Sequence, residues 1–273
     1  MKLQVVHANG NGALAEGAHE VFLAWEGVYE EGDVIVCSGL TPGRLYRLRM
    51  DACLDESLVY ITRDTVCYHI PFGEAKAGHD PKAFTGERHY LSIREAAESE
   101  IYGYRNLALN PLDQHGDSAA GIYPHASANV ETRGEAVFAA RNAIDGVYAT
   151  LSHGEWPYES WGINRDPDAA LTLDFGRPVD IERICLYTRA DFPHDSYWTA
   201  ATFVFSDGGR EVAEMTRQVA TPHVFDDERF HRRGITSLTL CELIKAGDES
   251  PFPALTQLEV YGTQSRGGAY GDK

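Results

Sequence analysis

The sequence predicts an all-β chain built as two β-sandwich domains. Three features point there. Short apolar runs alternate with period 2, glycine-, proline- or asparagine-containing turns separate them, and the chain is rich in aromatics, with 14 Tyr, 11 Phe and 4 Trp in 273 residues. That length is comfortable for two domains of ordinary size, and the 43% hydrophobic fraction is enough to fill two cores.

In the first hundred residues, strands are expected at 19–25, 33–37, 45–50, 58–62, 66–70 and 89–93. In the third of these, Tyr46, Leu48 and Met50 share one face, opposite Arg47 and Arg49. Glu31-Gly32-Asp33, Thr41-Pro42-Gly43 and Pro71-Phe72-Gly73 supply turns. No motif in residues 1–100 carries chemistry by itself. Residues 94–105, REAAESEIYGYR, are polar and Ala/Glu-rich; they predict a short helix and the domain boundary. In the second domain, 101–263, the segment EAVFAARN at 135–142 is expected to be a short helix. Strands are expected at 170–175, 181–187, 202–205, 237–243 and 257–261. Long loops rich in Asp, His, Trp and Gly join them, which describes a jelly roll with its function placed on loops. The Gly-rich end, 264–273, is expected to be a disordered tail.

The formal net charge of −17 leaves no basic field for phosphates, so nucleic acid is excluded as a partner. Five cysteines (Cys37, Cys53, Cys67, Cys185, Cys241), an odd number with no CxxC pair, predict free thiols in a reducing compartment and no zinc site of ordinary spacing. The opening MKLQVVHANGNGALAEG has no long apolar stretch or cleavage site, and no run of about 18 apolar residues occurs. Membrane insertion is therefore not expected, and a cytoplasmic or leaderless chain is.

An ordered set of segments in 103–263 resembles the discoidin, or coagulation-factor type C, domains, the galactose-binding-like family that includes the family-32 carbohydrate-binding modules. They are NLALN at 106–110, YPHASANVETRGEAVFAARNAIDG at 123–146, LTLDFGRPVDIERICLYTR at 171–189, FVFSDG at 203–208 and LTQLEVYG at 255–262. The resemblance implies a jelly-roll sandwich that binds glycans through loops at one end, commonly with a structural calcium nearby. Residues 1–100 carry no such resemblance.

Carried over residue by residue, the calcium would be held by the Asp145 side chain, Thr150, the main-chain oxygens of Asn142 and Val147, and Gln257, which stands where the family has a glutamate. Calcium wants six to eight oxygens. A glutamine at 257 offers one amide oxygen and no charge, and Glu259, two residues on, is an alternative donor. Equally, Asp145 can act only as a turn residue that accepts backbone amides.

Three loops concentrate binding chemistry: 153–161, 189–198 and 225–233. Carbohydrates present an apolar C–H face, which aromatic rings cover, and a rim of hydroxyls, which charged planar groups bind. Trp156, Tyr158 and Trp198 are the platform candidates. His153, Glu155, Arg189, Asp191, His194, Asp195 and His231 are the polar candidates. Trp161 and Phe192 read as core. A non-catalytic carbohydrate binder is the leading expectation. The alternatives are a glycoside-processing enzyme using Glu155, Glu159, Asp191, Asp195 or His194, and a protein-binding adaptor.

Overall fold

In a computed structural model the described residues are all but 8–9, 117–120, 150–151, 153, 191–194 and 267–273; for Asn11 and Asp195 the backbone alone is described. The chain is nearly all β, and among the described residues every strand pairing but one is antiparallel. Among the described residues no helix is long and apolar enough to cross a membrane.

The first unit packs a four-stranded sheet against a five-stranded one. The four-stranded sheet runs Gly10–Glu16, Lys2–His7, Val34–Ser38, Thr65–His69. The other runs Ile122–Tyr123, Ser57–Ile61, Arg44–Arg49, Arg88–Glu95, Glu20–Glu26. Period-2 alternation sends one set of side chains inward. Leu3 faces Cys37 and Val5 faces Ile35 across one pair, and Ile35 faces Tyr68 across the next; all are buried. The second sheet answers with Val21, Leu23, Tyr46, Leu48, Val59, Ile61, Leu91 and Ile93.

Ile122–Tyr123 belongs to the second half of the sequence, yet it pairs with Tyr60 and Ile61. Leu112 and Ile122 also lie in the first core. Residues 112 and 122–123, beyond the boundary expected near residue 100, thus contribute to the first unit. An apolar residue beyond the polar linker still gains more by filling the first core than by facing water. The linker carries the expected short helix, Glu98–Tyr102.

The second unit is built on Leu171–Thr188, Arg232–Lys245, Trp198–Phe205, Arg210–Glu214 and Phe252–Gln264. Leu171–Thr188 runs through two of the expected strands without a break. Leu171, Leu173 and Phe175 point inward, and then the chain bends at Gly176, whose φ is +67°. Its N–H donates to Asp174 Oδ1 at 2.7 Å, and a Cβ there would meet the Tyr123 ring at 2.4 Å, so only glycine fits. A register shift after Ile181 then keeps Ile184 and Leu186 facing the core.

Two expectations fail locally. Residues 135–142 form no α-helix but a chain of short turns, Thr132–Gly134, Ala136–Phe138 and Ala140–Ile144. Ala136 to Phe138 and Ala140 to Ile144 are all buried, so no single apolar stripe faces a core, and the extended Ala139 (ψ 153°) breaks the run. Gln264 and Ser265, expected at the start of a disordered tail, are held by the fold. Gln264 ends the last strand and accepts Arg177 Nε at 2.7 Å, while Ser265 Oγ donates to Asp180; residues 267–273 lie outside the described residues. All five cysteines are free.

Candidate functional site

One end of the second sandwich opens into a cleft of about 190 Å³. Its position follows from the register. Thr188, at the end of the long strand, pairs with Leu255, the two-residue strand Trp161–Gly162 pairs with Leu255 and Ala254, and the Arg189 N–H donates to Ala254 O at 3.0 Å. Three chain segments therefore converge on the start of the last strand. The lining comes from 132–133 and Phe138, from Ser160 and 162–165, and from Arg189 with 252–254.

Several side chains lining the cleft are placed by local devices. Asn164 and Arg165 both lie in the left-handed region, with φ of 49° and 61°. Non-glycine residues are rare there, and two in succession persist only where the surroundings hold them. The hold is the Asn164 N–H, which donates to Thr132 Oγ1 at 3.0 Å. The turn sets the Arg165 guanidinium over the Phe252 ring at 4.4 Å from its centroid, while that ring stays 43% exposed. Arg133 lies over Phe138 at 5.2 Å and is bidentate with Glu135 at 2.6 Å per bond.

Among the residues expected to bind, Trp198 is corrected first: it is 0% exposed and packs against Trp161, equally buried, at 6.3 Å. Trp198 opens a strand whose first side chain faces the core, so it is not a stacking platform. Arg189 reaches the cleft but not its rim. It is 1% exposed and donates to Tyr158 O, Ser160 Oγ and Ser152 O at 3.2, 3.1 and 2.6 Å, which makes it the clamp of the loop below the cleft.

Trp156 and Tyr158 are half-buried and do not line the cleft. Trp156 borders a separate hollow with Asp145, Arg141, Gly78 and Asp80 between the two units, and its N–H donates to Ala77 O. Glu155 is exposed. His231 bonds Asp226 O at the other end of the sandwich. Its neighbour Arg232 pairs with Ile181, seven residues before Thr188, or about 23 Å along the strand. His153, Asp191, His194 and the predicted core residue Phe192 lie outside the described residues, as does the Asp195 side chain. The backbone of Asp195 pairs beside Phe252.

Sequence reading missed Arg133, Asn164, Arg165 and Phe252. Phe252 lies between two prolines (Pro251 and Pro253), where a bare aromatic surrounded by loop residues was the available signal.

The expected cation turn has a different content. Gln257, 1% exposed, donates through Nε2 to Asn142 O and to Asp145 Oδ1, both at 2.7 Å, and its Oε1 accepts the Gly146 N–H at 3.0 Å. Asp145 Oδ1 also accepts the Val147 N–H at 2.9 Å. Two of the oxygens expected to hold calcium are thus turned onto an amide nitrogen. Glu259 is engaged elsewhere, by the phenol hydroxyls of Tyr148 and Tyr261 at 2.6 and 3.2 Å. Thr150 is outside the described residues. Calcium needs its oxygens free and converging, whereas the Asn142 and Asp145 oxygens here accept from the Gln257 amide and the Gln257 oxygen accepts from Gly146.

Glu159 lies beside Asp145 at 3% exposure. Burial first, and then the Asp145 charge, raises its carboxyl above the usual range; burial likewise raises Asp145, against the pull of Arg141. Of the carboxylates weighed for hydrolysis, the two whose side chains are described lie apart. Glu159 is in the interior with Asp145, and Glu155 is out in solvent.

No family model matches the chain, and no curated protein matches it. Among solved structures it is similar to a chitosan-binding module of a Paenibacillus chitosanase/glucanase (19% identity, 58% of this chain and 99% of that one, TM-score 0.39). It is similar to the family 32 carbohydrate-binding module of C. perfringens NanJ, solved with galactose (18%, 50% and 91%, TM-score 0.36). It is also similar to a Streptococcus pneumoniae fucose-binding module (13%, 59% and 99%, TM-score 0.40).

Proposed function

We propose that this chain binds a carbohydrate, without turning it over, in the cleft formed by 132–138, 160–165 and 252–254. The observation that carries this reading is the exposed Phe252 ring, pinned by the Arg165 guanidinium inside a concave site. The ring offers an apolar surface for a sugar's C–H face, and the guanidinium offers planar donors for vicinal hydroxyls. Thr132 and Asn164 add polar groups at the wall. Two adjacent residues held in the left-handed region at this spot are consistent with a built site, because backbone strain concentrates where ligands are held. The volume is below the roughly 300–1,000 Å³ of drug-type pockets, so the site suits one sugar ring or the end of a glycan.

The test is a glycan array probed with the whole chain and with Phe252→Ala. Signal on a defined set of glycans that is lost in the variant supports the reading. A variant that gives the parent's pattern moves the site elsewhere.

A further inference from the structure

We propose that the Gln257 side-chain amide does here what a divalent cation would otherwise do in the same turn: it clamps 142–147 to the last strand, so the second unit needs no calcium for its stability. The clamp joins segments more than a hundred residues apart in sequence through three hydrogen bonds, to Asn142 O, to Asp145 Oδ1 and from the Gly146 N–H.

The orientation of the amide is forced. The Gly146 N–H requires an acceptor, so Oε1 must face it, and Nε2 must then face Asn142 O and Asp145 Oδ1, which are acceptors. Turning the amide to offer its oxygen to a cation would set an NH₂ group against the Gly146 N–H in a buried place. Donor facing donor leaves both groups unsatisfied, at a cost no weakly held ion offsets.

The inference makes one atom decisive. Gln257→Glu keeps an oxygen for the Gly146 N–H and replaces the amide nitrogen by a second oxygen. That oxygen would converge with Asn142 O and Asp145 Oδ1 and carry the extra negative charge a divalent cation needs.

The experiment is thermal unfolding of the whole chain and of Gln257→Glu, each in millimolar calcium chloride and in chelator. The parent is expected to melt at the same temperature in both. The variant is expected to melt lower than the parent in chelator and to regain roughly 5–10 °C in calcium at about a hundredfold excess over its dissociation constant. A parent that melts higher in calcium overturns the proposal. An indifferent parent with an equally indifferent variant overturns it too, since the amide would then not be what stands in the cation's place. If the variant does not fold, Gln257→Leu serves: it must lower the melting temperature equally in calcium and in chelator, and a loss seen only in calcium contradicts the clamp.

Discussion

Arg189 is the residue whose removal the structure prices most directly. Its guanidinium is 1% exposed and holds the loop under the cleft through Tyr158 O, Ser160 Oγ and Ser152 O. Hydrogen bonds from a charged donor contribute about 1.5–3 kcal/mol each before losses. Arg189→Ala leaves a buried hydroxyl and a carbonyl without this donor, while Ser152, at the exposed end, can turn to water. A net loss of about 3–4 kcal/mol follows, in the range seen when buried polar networks are broken. For a unit of this size that is a fall in melting temperature of roughly 6–16 °C. Arg189→Lys should recover less than half, because a single ammonium cannot span acceptors on residues 152, 158 and 160. Differential scanning calorimetry gives the stability, and limited proteolysis reports whether the 152–160 loop has loosened. An alanine variant that melts within about 2 °C of the parent with the loop still protected would refute the clamp.

Trp198→Ala should cost about 3–5 kcal/mol as a large core truncation, whereas Trp198→Phe, once folded, should bind glycan as the parent does, which calorimetry and an array can check together. Glu100 bonds Arg94 and Arg47, and the Arg94 hydrogen bond, ahead of the other contributions, holds its carboxyl down at about 2 against an ordinary 4.5. A depressed folded-state pKa gives stability that is present above 4.5 and lost as the pH falls from there through about 2. Glu100→Gln should thus be less stable than the parent by about 1 kcal/mol at neutral pH, the figure being reduced for solvent screening at this rim site. The two should converge toward pH 2 in acid-unfolding curves, and a gap that stays constant with pH would count against the ion pair.

The strands were legible wherever side-chain alternation is set by one buried face. Tyr46, Leu48 and Met50 were expected on one side of their strand, and all three are in the first core. The opening strand, Lys2–His7, was missed although Leu3 and Val5 alternate, because the flanking polar residues dilute so short a pattern. The helix expected at 135–142 rested on propensity, and tertiary burial on every side overrode it.

The site was harder for a physical reason. Composition marks which loops are rich in aromatics and charge, but not which of those groups turn inward. Trp198 and Arg189 carry binding-type chemistry and are both consumed by the fold. Arg165 and Phe252 are unremarkable in sequence and become a pair only because a left-handed turn and the start of the last strand meet at one end of the sandwich. Gln257 shows the reverse: a single departure from a resembled pattern, visible in sequence, whose consequence depends on the direction of the Gly146 N–H.

The location of binding is tested most directly by isothermal titration calorimetry of the strongest array ligand against the parent, Phe252→Ala and Trp156→Ala, each first confirmed as folded. The cleft account predicts that Phe252→Ala loses about 1–3 kcal/mol, tenfold or more in affinity, while Trp156→Ala, outside the cleft, binds as the parent does. Full affinity in Phe252→Ala with loss in Trp156→Ala would contradict it and place the ligand in the hollow between the two units.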